Sequence, residues 1–248
     1  MGASMRGLMT AVLTIAVLAV AAVASAATFS VNPTQLHLSR GGSTLLTLRN
    51  DSSEVLRFQL TVFGWSQSPG GEIELSATNE VVFFPALLTL QPQEERRIRI
   101  GYTGAPAEGE RTFRVFVEEL PPADAVPGAV RMLTKMGVPI FVAPAKPQVA
   151  ATLSKPRLQP DGLAFDIENH GNVHFVPQQI RVHGTAADGA SVLDQEVAGW
   201  YILAGGRRSF VVPVPSDICR RATLVSVEFG FASSVLHESM NPAAGCGK

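Results

Sequence analysis

The residues best equipped for chemistry in this 248-residue chain are few and scattered. His170 and His174 flank a Gly171-Asn172 turn with Glu168 as the one nearby carboxylate. A working metal centre needs three or four convergent ligands, so these histidines read as turn residues and no metal site is expected. Glu118 and Glu119 are neighbours, and adjacent residues of a strand point to opposite faces. They cannot act together on one substrate as paired catalytic carboxylates do, and read instead as edge-strand charges. The sequence contains no Gly-x-Ser-x-Gly elbow, phosphate-cradling glycine loop or dinucleotide fingerprint. An enzyme therefore has no positive support, and no cofactor is implied.

The cysteines point to a compartment rather than a reaction. Only Cys219 and Cys246 occur, both near the C-terminus, and in an exported chain they are expected to form a disulfide. Such a bridge would stabilise by about 3 to 4 kcal/mol through loop entropy and staple the C-terminal strand to its domain. Export is itself expected: Arg6 precedes an apolar run from Leu8 to Val23 that ends in Ala24-Ser25-Ala26, a small-x-small cleavage pattern. Residues 1–26 read as a signal peptide, leaving Ala27 first and no membrane-inserted segment after cleavage. The whole chain carries a formal charge of −1, which favours neither nucleic acid nor an anionic membrane surface.

The elements that would position any site are strands. Helical periodicity is almost absent, while short alternating runs recur between Gly, Pro, Asn and Asp clusters. Ser43 to Arg49, Val55 to Trp65, Arg97 to Ile100, and the run holding Phe113, Val115 and Val117 each present one apolar and one polar face. Pro121-Pro122 then stops ladder pairing, and a loop runs to about Gly128. A long run follows, Val130 to Val142, with Val130, Met132, Met136, Val138 and Ile140 on one face and Arg131, Leu133 and Lys135 on the other.

Pro144 to Pro147 reads as a short stiff linker, which divides the mature chain into residues 27–144 and 145–248. The second part repeats the pattern: Gly162 to Glu168, Phe175 to His183, Ser209 to Val214 and Thr223 to Phe231 read as strands between Gly-containing turns. The fold class is all-β, with two immunoglobulin-like sandwiches of about seven strands each. Trp65 and Trp200 are assigned to core or domain-junction packing, and Phe83-Phe84 to packed positions.

In this order and spacing the chain resembles the PapD-like periplasmic pilus-assembly chaperones, in particular the archaic chaperone–usher branch that serves spore-coat-U-like pilins. The resemblance covers nearly all of residues 29 to 246. It is carried by Phe29 to Leu36, Phe84-Pro85, Leu90-Gln91-Pro92, Arg97 to Gly101, Phe113-Arg114, Glu119 to Pro122, Val138 to Pro144 and Glu168 to Asn172. It implies a periplasmic location and donor-strand complementation. In that process a pilin lacking its last strand is held by a strand lent by the chaperone, then passed to an outer-membrane usher.

Residues 130 to 138 have the features such a strand needs, since an edge supplies main-chain hydrogen bonds while alternate side chains fill pockets. Val130, Met132, Thr134, Met136 and Val138 are the predicted donor set. Methionine suits a groove that accepts unequal clients because its unbranched side chain adapts. The chain departs from PapD at the two basic positions that clamp a pilin's C-terminal carboxylate there: Gln35 and Pro139 stand in their places, and neither carries charge. Arg99, Arg114 and Lys135 are the substitute candidates for that anchor, the arginines being able to bond a carboxylate in pairs. An exposed donor edge also allows self-association. The competing reading is a non-catalytic structural or adhesive two-domain protein of the cell envelope.

Overall fold

The computed structural model describes residues 28–39, 41–68, 70–122 and 132–242. The predicted signal peptide, Val130 and Cys246 lie outside the described residues. Strands dominate, as alternation dictates, and they form four sheets that separate along the chain. No described helix is long and apolar enough to cross a membrane.

One sheet of the first sandwich contains β1 (Phe29–Asn32), β3 (Ser43–Asn50), β8 (Glu95–Tyr102) and β6 (Val81–Phe84), in that order. The facing sheet runs β2 (Leu36–Leu38), β10 (Lys135–Val142), β9 (Arg111–Leu120), β4 (Leu56–Gln67) and β5 (Ile73–Ala77), with β7 (Leu87–Leu90) paired to β4. Alternate residues of both sheets, among them Leu46, Leu48, Phe58, Ile98, Ile100, Val115 and Val117, meet in one core.

The second sandwich pairs β11 (Ala151–Leu153), β13 (Gly162–Asn169) and β12 (Arg157–Gln159), with β16 (Arg207–Val212) on β13. Its other sheet runs β15 (Ser191–Val197), β14 (Gln178–Ala186), β17 (Ala222–Phe231) and β18 (Ser234–Met240). A separate core built on Phe165, Ile167, Ile180, Val182, Val227 and Phe229 fills it. The short helix α1 (Ser216–Arg221) precedes β17 and buries Cys219. No described cysteine is a free thiol.

Several expectations need correction. The strand expected from Phe175 starts at Gln178, after Pro177, which has no N–H for a ladder; Phe175 keeps only an isolated bridge to Ile202. Of the run expected from Val130, the described residues form a strand only from Lys135. Phe83 packs against the core, but Phe84 is exposed, because period-two alternation sends neighbours to opposite faces. Glu119 is not an edge charge: β9 is a central strand, Glu119 is buried, and its carboxylate accepts the Thr134 N–H at 3.3 Å.

Each sandwich also buries one asparagine that looks like an ordinary turn residue in the sequence. Asn50 Nδ2 donates to the carbonyls of Glu54, Leu90 and Gln91, and its Oδ1 accepts from Ser52. Asn169 Nδ2 donates to the carbonyls of Val173 and Ile202, while Oδ1 accepts the Gly171 N–H. Removing either side chain strands several buried main-chain groups, each costing about 1 to 3 kcal/mol. Asn169→Ala is expected to destabilise the second sandwich by about 3 kcal/mol in urea unfolding. A loss within 0.5 kcal/mol would show that water replaces these bonds.

Candidate functional site

The described part of the long run of alternating apolar residues forms β10, one strand in from the edge over its last three residues and at the edge for the rest. It pairs with β9 along all of Lys135 to Val142, but with β2 only from Ile140 to Val142. Among the described residues, no strand covers its other side from Lys135 to Pro139. The Glu119 N–H donates to the Thr134 carbonyl at 2.9 Å, so even-numbered residues turn their main-chain groups toward β9. Lys135 and Gly137 therefore turn theirs outward. Pro139 is the next outward position, where its missing N–H breaks no bond to β9.

The side chains of the predicted donor set divide along this strand. Val138 is 1 % exposed and belongs to the core of its own sandwich with Ile140 and Val142. Met136 packs partly against that core. Thr134 is exposed, and Met132 is 80 % exposed. The apolar face thus begins in the core and continues out of it, carrying the same alternation into solvent. On the opposite face Lys135 bridges to Glu118 at 2.8 Å and lies over the Phe116 ring, which itself closes over Gly137.

That opposite face leads to the joint between the sandwiches. Arg114 of β9 is diagonal to Trp65 of β4, and its guanidinium lies 4.2 Å from the indole ring centre. Tyr201 of the second sandwich meets Trp65 edge-on at 5.6 Å, and its hydroxyl donates to Gln35 Oε1 at 3.0 Å. Trp65, Phe141 and Leu203 form a small core of their own here. Trp200 is at the same joint, edge-on to Tyr201 but 41 % exposed.

Polar bonds lock this joint. Gln67 donates from Nε2 to the Tyr201 carbonyl at 2.8 Å and accepts the Leu203 N–H on Oε1 at 2.9 Å. Glu110, only 4 % exposed, accepts from the main-chain N–H of His174 at 2.9 Å and contacts His174 Nδ1 at 2.7 Å. The His174 ring stacks on Phe141 with centroids 3.6 Å apart. His170, by contrast, contacts Thr152 and Glu168, so the two histidines serve different structures. No group of three or more His, Cys, Asp or Glu among the described residues could hold a metal ion.

The three candidate anchors are now distinct. Arg99 lies on β8 in the other sheet and donates to Ser43 Oγ. Lys135 is neutralised by Glu118. Arg114 is 9 % exposed, its Nε has no hydrogen-bond partner, and no salt bridge reaches it among the described residues. Burial pushes its guanidinium below the ordinary arginine value, with Tyr201 opposing. A buried cation with no anion beside it is costly, and a carboxylate bound at the joint would relieve that cost. Gln35 and Pro139 border the same region, Gln35 through Tyr201 and Pro139 as the cross-strand partner of Arg114.

Comparison with known proteins agrees with this architecture. Residues 28–148 match the family model for pili and flagellar-assembly chaperone, PapD N-terminal domain. No curated protein matches the sequence. Among solved structures, the chaperone–tip adhesion subunit complex CsuC–CsuE from archaic chaperone–usher Csu pili of Acinetobacter baumannii aligns at 18% identity and a TM-score of 0.60, covering 86% of this chain and 98% of that one. The class 5 fimbriae chaperone CfaA aligns at 15% identity and a TM-score of 0.57, again over 86% and 98% of the two chains. The Escherichia coli chaperone DraB, at 17% identity and a TM-score of 0.53, covers 88% of this chain and 97% of its own. Residues 28–148 therefore match the PapD N-terminal domain of pili and flagellar-assembly chaperones, within a chain that shares the two-sandwich fold of these solved structures.

Proposed function

We propose that this protein is a periplasmic chaperone that holds pilin subunits of the spore-coat-U-like kind by donor-strand complementation and delivers them to an outer-membrane usher. The observation that carries this reading is the side of β10 between Lys135 and Pro139 that no strand covers among the described residues, continuous with the exposed Met132. A subunit lacking its last strand would pair its main chain with the outward groups of Lys135 and Gly137. Met132, Thr134 and Met136 would enter its open core, while Val138 stays in the chaperone's own. Burying the two methionines contributes about 3 to 6 kcal/mol gross, before ordering and association costs. That magnitude suits holding followed by exchange better than permanent assembly.

In this reading Arg114 is the anchor for the subunit's C-terminal carboxylate, taking the part left open by Gln35 and Pro139. Two parallel bonds from one guanidinium would fix the subunit's end and with it the register along β10. Without a client, the same edge favours pairing with a second copy of the chain. The test is periplasmic co-expression with spore-coat-U-like pilins, followed by affinity recovery and native mass measurement. A one-to-one complex is expected. Pilins that remain insoluble, or fold unaided and are never co-recovered, would reject the proposal.

A further inference from the structure

Arg114 lies against a wall that the other sandwich braces. Trp65 forms one wall against the guanidinium, and Tyr201, from residues far along the chain, closes against Trp65. The place of Tyr201 is set rigidly: Gln67, two residues beyond Trp65 on the same face of β4, clasps the main chain on both sides of Ile202, and Gln35 receives the phenol hydroxyl. Residues from three separated segments thus fix the wall against which the Arg114 guanidinium lies.

We propose that Tyr201 is a positioning residue for the anion site: from the second sandwich its ring braces Trp65 against Arg114, so that the guanidinium meets a carboxylate in a water-poor joint. The inference rests on the reading of Arg114 as the carboxylate anchor. Attraction between opposite charges scales inversely with the effective dielectric, and salt screens exposed pairs far more than enclosed ones. An anchor of this kind discriminates a charged chain end from a neutral one only while the two sandwiches are docked.

The probes are two forms of the tetrapeptide acetyl-Thr-Val-Thr-Phe, one ending in a free carboxylate and one in a carboxamide. Each is titrated into the full chain by tryptophan fluorescence, which reports from Trp65 and Trp200. The wild type is expected to prefer the acid by at least about tenfold, with little change as salt rises. Tyr201→Phe, which keeps the ring, should preserve the ratio. Tyr201→Ala should reduce it to within about threefold of unity and make the remainder salt-sensitive. The acid-to-amide ratio within one variant cancels any loss of folded protein. A Tyr201→Ala chain that keeps the wild-type ratio and salt response overturns the proposal, as does a Tyr201→Phe chain that loses both. The anchor reading fails separately, if the wild type shows no preference or if Arg114→Gln retains one.

Discussion

Replacing Met132 and Met136 together by Asp is expected to abolish recovery of a pilin complex while leaving the chain folded. Met132 is 80 % exposed and Met136 only partly packed, so the unbound sandwich loses little. In a complex the two carboxylates would have to enter an apolar groove without partners, each costing several kcal/mol. Affinity should fall by at least about a hundredfold, which removes the complex from a pull-down. Circular dichroism establishes that the variant is folded. Val235→Asp, at an exposed apolar site on β18 of the other sandwich, serves as the control and should leave capture intact. Equal recovery with the double variant and the wild type would exclude the 132–136 face as the binding strand.

The second large effect is expected at Gly162. This residue opens β13 after a two-residue turn and pairs with Gln159 across the hairpin. Its φ is 144°, a conformation that side-chain-bearing residues rarely adopt, and a Cβ there would sit 2.2 Å from the Val212 carbonyl oxygen and 3.0 Å from Pro213 Cα. Both neighbours are backbone at or just past the end of β16, so relief means separating β13 from β16 at the head of the second core. Gly162→Ala should cost at least about 3 kcal/mol, combining backbone strain with the displaced strand. Calorimetry would then show the second sandwich melting roughly 15 °C earlier. Gly189, with φ of 83° and open space around it, gives the comparison. Alanine there carries the conformational strain alone and should cost about 1 kcal/mol. Similar losses at both sites would mean that the contact with Val212 is absorbed by small shifts.

The strands were largely legible because burial of one face forces a period of two, and Gly, Pro, Asn and Asp mark where the period breaks. Pro177 and Pro139 show the limit of that reading. Both interrupt ladder donation, but one delays a strand and the other sits harmlessly inside one, and only the identity of the neighbouring strand distinguishes them. Glu119 was misjudged for the same reason: whether a strand is central or marginal depends on partners distant in the sequence. The proposed donor face is visible as alternation, yet the place where it leaves the core, between Val138 and Met132, depends on where β9 and the opposing sheet end. Arg114 could be named as a candidate by charge alone. Its separation from Arg99 and Lys135 required the joint itself, where Trp65 and Tyr201 converge from positions 136 residues apart in the numbering. Asn50 and Asn169, and the pairing of Glu110 with His174, left no local pattern, since each bonds to main chain or side chains supplied by another element.

Pro139 also makes the open edge a ruler. Beyond it β2 already occupies the side of β10, and at Pro139 itself there is no hydrogen to offer. A strand laid along this edge can gain ladder bonds as far as Gly137 and no farther, whatever its length. Under the proposed function the grip would therefore be limited by this edge rather than by the bound strand, and different subunits would be held over the same short span. In that reading an incoming replacement strand would have only that span to displace, which would keep release within reach of exchange without any source of chemical energy.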